Sequence, residues 1–108
     1  MDERFVAFMN GELTELIPSD FGNITILPEY SLYNSAGTTR KLKVTLPDTI
    51  TTIKDYALHN MNINEIVFPQ NIAVIEANSC VGSDTCIYDF SKAKTIPTLK
   101  KTDTDNNL

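Results

Sequence analysis

Ile24-Thr-Ile-Leu-Pro-Glu-Tyr-Ser-Leu-Tyr-Asn34 returns twenty-six positions later as Ile50-Thr-Thr-Ile-Lys-Asp-Tyr-Ala-Leu-His-Asn60. Ile, Thr, Tyr, Leu and Asn are kept, and Glu29 is matched by the acid Asp55. A more eroded copy, Ile72-Ala-Val-Ile-Glu-Ala-Asn-Ser-Cys-Val-Gly82, follows twenty-two positions on. Self-similarity at a fixed period marks a solenoid, because each unit covers its apolar face only by stacking on its neighbours.

Upstream of the second and third copies stand Val44-Thr-Leu46 and Ile66-Val-Phe68, each closed by a proline, Pro47 and Pro69. Proline cannot donate to a continuing ladder, so both segments read as short strands. Ile50 and Ile53, then Ile72 and Ile75, lie three apart, a spacing that fits one face of a helical or 3-10 return. Stacking turns Val44, Leu46, Ile66 and Phe68 inward, and a further twenty-two positions add Tyr88 and Phe90 to the same columns. Four more residues separate Asn34 from Leu42 than separate the matching pair in the next unit, and solenoids expel such insertions as loops.

Before the repeats, Arg4-Phe-Val-Ala-Phe-Met9 and Glu12-Leu-Thr-Glu-Leu16 flank Asn10-Gly11, a strong hairpin signal. A β-hairpin capping the open core is the expectation there. After Lys100 the chain is polar and aperiodic, so residues 100–108 read as a flexible tail.

At 108 residues there is room for one domain, with about 60–65% of the unfolded surface buried. The net charge is −5, and six acids precede Thr38 against the single Arg4. No basic stripe is present, which argues against a nucleic-acid partner. Two cysteines, Cys80 and Cys86, are too few for a disulfide framework, and their spacing fits no zinc motif. There is no secretory signal pattern, and no apolar run reaches membrane-spanning length. A soluble protein of a reducing cytoplasm, away from membranes, is the expectation.

Chemistry-bearing patterns are missing: no phosphate loop, no paired carboxylates at a fixed spacing, no Ser/His/Asp set. His59 corresponds to Tyr33 and reads as a loop residue. Cys80 reads as a small core filler. Asn34 and Asn60 read as residues that cap a carbonyl or turn the chain in the left-handed region. Of the aromatic residues, Tyr30 is assigned to the core with Phe5 or Phe8, and Tyr33 to solvent. No enzyme, metal or cofactor is expected.

Leu46-Pro-Asp-Thr-Ile-Thr-Thr-Ile-Lys-Asp-Tyr-Ala-Leu58 resembles the repeat of BspA-like leucine-rich-repeat proteins, over a span from Leu13 to Leu99. Lys54 and Glu76 stand where that repeat has glycine, so their backbone must keep negative φ or accept strain. Leu58 and Cys80 replace its phenylalanine and Ser79 its alanine, leaving the third unit underfilled. The segment Phe8–Leu16 is similar to short members carried by phages and prophages of Gram-positive bacteria. The resemblance implies an α+β, mainly β fold: a short right-handed leucine-rich-repeat solenoid. A single domain over 1–99 comprises the hairpin cap (4–16), repeats at 17–41, 42–63 and 64–86, and a closing segment (87–99).

The function expected from this is protein binding, in a phage accessory protein that modulates a host protein such as a defence nuclease. The alternative is a structural or adhesive fragment of a phage tail or bacterial surface protein, located on a virion or cell surface. A second copy of the chain is a further candidate partner. Alternation along the strands turns Lys43, Thr45, Glu65, Val67, Ile87 and Asp89 outward as the binding face. Val67 and Ile87 form its apolar pair, the loop residues Arg40 and Lys41 its rim, and Tyr33 an aromatic contact.

Overall fold

The stacked strands fall into two parallel sheets rather than one. In the computed structural model, which describes residues 3–33, 41–60, 62–80 and 85–99, each coil gives one strand to each sheet. The first sheet orders β1 (Glu15–Leu16), β3 (Leu42–Thr45), β5 (Ile63–Val67) and β7 (Ile87–Asp89). The second orders β2 (Ile26–Leu27), β4 (Thr52–Ile53), β6 (Val74–Ile75) and β8 (Thr98–Leu99). The isoleucines spaced three apart are buried, but not along a helical return. Ile50 closes a turn on the Pro47 carbonyl, and Ile53 then lies in the second sheet. A turn followed by a two-residue strand places both side chains inward as well as a helical turn would.

Register builds the core as columns. In the first sheet Leu16, Val44 and Ile66 stack with Tyr88. In the second, Leu27, Ile53 and Ile75 stack with Leu99. One irregularity interrupts the ladder where Leu42 pairs with Ile63 but Lys43 with Glu65. The extra residue, Asn64, is a bulge that keeps both Ile63 and Ile66 inside. Backbone bonds tie successive coils along the second sheet, with Thr51 N donating to Thr25 O, Ala73 N to Thr51 O and Thr98 N to Ala73 O. Asn60 is buried and its amide donates to the Leu32 carbonyl one coil earlier, so it caps a carbonyl. Asn34 lies outside the described residues, as do Arg40 and the 100–108 tail.

The N-terminal cap is a helix, not a hairpin. Residues Glu3–Met9 form α1, and Phe5 and Phe8 are both buried. Residues three apart share one side of a helix but oppose each other on a strand, so only the helix buries both rings. Asn10-Gly11 ends it instead of turning a hairpin. Glu12 N bonds Ala7 O and Gly11 N bonds Phe8 O, with Gly11 at φ 88°, the paired bonds of a Schellman stop. Phe5 meets Phe21 edge to face at 5.8 Å. Asp20, in the 3-10 turn Pro18–Phe21, accepts from Arg4 Nε at 2.7 Å and from Ile17 N at 2.8 Å. Arg4 also donates to the Glu15 carbonyl, so the helix is pinned onto the first coil.

Candidate protein-binding surfaces

Outward side chains of the first sheet form two rows. Glu15, Lys43, Glu65 and Ile87 make one, and Thr45, Val67 and Asp89 the other. Lys43 and Glu65 pair at 3.8 Å on the surface, a contact worth about 0–1 kcal/mol. The Asp89 carboxylate accepts from Ser91 N at 2.8 Å, and hydrogen bonds from the Ser91 side chain and backbone hold its pKa below the ordinary value. Val67 needs correction: it is only 7% exposed, whereas Ile87 is 60% exposed. Ile87 faces Glu65 and Asp89 faces Val67, so the two apolar residues are diagonal neighbours and not a pair. Thr45 and Asp89 flank Val67 in its row. Lys41 is exposed just before β3, while Tyr33 belongs to a different cluster.

The columns end in the open. Phe68 is fully buried and stacks on Phe90 at 4.1 Å, yet Phe90, Tyr88 and Leu99 are all exposed. The register thus places Tyr88 and Phe90 in the core columns, but no described coil covers them. A cleft of about 250 Å³ opens there, lined by Phe68, Ile75, Cys80, Tyr88, Phe90 and Leu99. It sits at Cys80, whose aligned positions in the two earlier coils are the larger Leu32 and Leu58, and Ile96 is 95% exposed. Burial pushes the Cys80 thiol far above its ordinary range and raises that of Cys86 as well, so neither is an activated nucleophile. Ser79 is buried, and its hydroxyl donates to the Ile53 and Glu76 carbonyls.

A third surface was missed in the repeat alignment. Where each coil leaves the second sheet, Tyr30, Tyr56 and Asn78 sit at φ 61°, 60° and 59°. Lys54 and Glu76 keep negative φ, because the left-handed step falls two residues later. A side chain with Cβ costs about 1–2 kcal/mol in that region, and asparagine tolerates it best. Tyr30 and Tyr56 stack at 5.2 Å, 4° from parallel, a contact worth about 0.5–1.5 kcal/mol that does not offset two such costs. Tyr33 meets both edge-on, and His59 packs beside Tyr33 at 5.4 Å and Tyr56 at 5.3 Å. Tyr30, expected in the core, is 54% exposed, more than Tyr33 at 37%. His59 Nδ1 and Asp55 Oδ1 are shielded from water without a hydrogen-bond partner. The sequence signal was there: Tyr30 aligns with Tyr56 and Tyr33 with His59, and aligned positions of adjacent coils touch.

Among the described residues, no group of three or more His, Cys, Asp or Glu could hold a metal ion, and no helix is long and apolar enough to cross a membrane. Residues 4–101 match, in six copies, the family described as BspA type Leucine rich repeat region. The chain belongs to that family. No curated protein and no solved structure matches it.

Proposed function

We propose that this chain is a non-enzymatic protein-binding module that meets its partner on the outer face of the first sheet and the apolar end adjoining it. The observation carrying this is Ile87, an apolar side chain held out to solvent on a regular strand, next to exposed Tyr88 and Phe90. Apolar patches of this kind on a folded surface mark contact sites more often than scattered single residues do. The Lys43–Glu65 pair, Asp89 and Lys41 give the patch a polar rim that steers association. The finer reading is a phage or prophage accessory protein that restrains a host protein such as a defence nuclease. It rests on the resemblance of the Phe8–Leu16 segment alone.

The open end favours a second reading, a structural or adhesive repeat whose last coil stacks on another protein in an assembly. Affinity capture from host lysate with the parent and with Ile87→Asp as baits tests the proposal. A partner retained by the parent and lost with the folded variant is the expected result. Equal capture by both removes the outer face from the proposal.

A further inference from the structure

We infer that the aromatic corner formed by Tyr30, Tyr33, Tyr56 and His59 is a second docking site, and that it takes an arginine side chain from a basic segment of a protein partner. Three observations converge on it. First, two coils hold tyrosine at a left-handed position that the third coil fills with the better-suited Asn78. Backbone strain of this kind, held against a cheaper local choice, points to a use for the side chain. Second, the rings are ordered by mutual stacking, and Tyr30 and Tyr33 still face solvent, Tyr30 more than half exposed. A rigid, partly wet aromatic surface is the composition of interface hot spots.

The third observation selects the ligand. A carboxylate precedes each left-handed tyrosine, Glu29 before Tyr30 and Asp55 before Tyr56. Among the described residues of these coils, the cation Lys54 is held by Glu76 at 3.4 Å, and the acids Glu29, Asp55 and Glu76 outnumber it. Of the two acids that precede the tyrosines, Glu29 is exposed beside Tyr30, whereas Asp55 Oδ1 is shielded from solvent. A guanidinium suits this surface, since its plane stacks on the open face of Tyr30 while its N–H groups pair with the exposed Glu29 carboxylate beside it. An ammonium is a compact, strongly hydrated charge and fits less well. The acidic surroundings repel nucleic-acid phosphate, and an uncharged sugar leaves the carboxylates unpaired.

The probe is an amidated peptide of alternating arginine and glycine, followed by NMR of the tyrosine and histidine rings. Lysine-glycine, serine-glycine and maltohexaose serve as comparison ligands. The expected result is saturable shifts at Tyr30, Tyr33, Tyr56 and His59 with the arginine peptide. Binding should be weaker with lysine, weaker at higher salt, and absent with the neutral ligands. The double variant Tyr30→Asn, Tyr56→Asn replaces both strained residues with the one the third coil uses. It should melt no lower than the parent and bind about tenfold or more weakly.

A variant that melts clearly lower, while the parent shows no shifts, makes the stack core packing and overturns the inference. Unchanged affinity in the variant reduces the effect to general acidic attraction, and a response to maltohexaose alone makes the corner a sugar platform; either result overturns it too. Failure here leaves the outer-face proposal standing, because that one is read at Ile87.

Discussion

The two ends of the stack are built from the same columns and finished differently. At the start, α1 lays Phe5 and Phe8 over the first coil, and Asp20 holds the helix through Arg4 and Ile17. At the finish, Tyr88 and Leu99 occupy inward register positions, Phe90 stacks on Phe68, and all three are exposed. One end therefore covers its apolar residues, and among the described residues the other leaves them exposed. Solenoid coils depend only on their neighbours, so this asymmetry stays local and can be tested residue by residue.

The largest effect is expected at Phe68, the last fully buried ring before the open end. Phe68→Asp places an unpaired carboxylate in the column at a cost of several kcal/mol, on the order of a small domain's whole stability. Thermal melting by circular dichroism should show loss of the cooperative transition. An unchanged melt means the stacking register is wrong. Next, Phe8→Ala should cost about 3–5 kcal/mol in urea unfolding, as for a fully buried ring. Phe90→Ala, at the open end, should cost well below that. Equal costs would erase the distinction between the ends.

Asp20→Ala removes the acceptor for Arg4 and Ile17 and should cost about 1–3 kcal/mol by the same measurement. No change would mean that the helix is held by its rings alone. The smallest effect concerns the thiols at the open end. Only the thiolate reacts with iodoacetamide, and burial raises both pKa values. Alkylation near neutral pH should therefore be slower than for free cysteine, rise with pH, and reach Cys86 before Cys80. Rapid modification of Cys80 at neutral pH would show that the cleft opens more than its packing implies.

The inward columns were legible because a constant spacing of twenty-two residues, joined to strand alternation, fixes Val44 over Ile66 and Leu46 over Phe68. The N-terminal cap was not, since Asn10-Gly11 serves a hairpin turn and a helix stop equally well. Only the separation of Phe5 and Phe8 distinguishes them. The second sheet was hidden for a different reason: its strands are two residues long, too short to show a period. Of the candidate face, the outward rows followed from alternation. Val67 proved covered, in the middle of its row between Thr45 and Asp89, and alternation alone does not report how far a facing residue is exposed. The tyrosine corner was readable as aligned positions but not as a cluster, since left-handed φ at an aromatic residue goes against its propensity. Exposure of Tyr88 and Phe90 depends on what packs against that end of the stack, which residue type does not encode.

Backbone amide exchange, followed residue by residue on the dilute chain, tests the capped-start, open-end account most directly. Local opening free energies follow burial and packing. Amides of Val44, Ile53 and Ile66 should therefore exchange slowest, near the global limit. Those of α1 should be intermediate, and those of 87–89 and 98–99 fastest among the strands. Protection of 87–89 and 98–99 equal to that of Ile66 would contradict the account, because it would show the end of the stack closed.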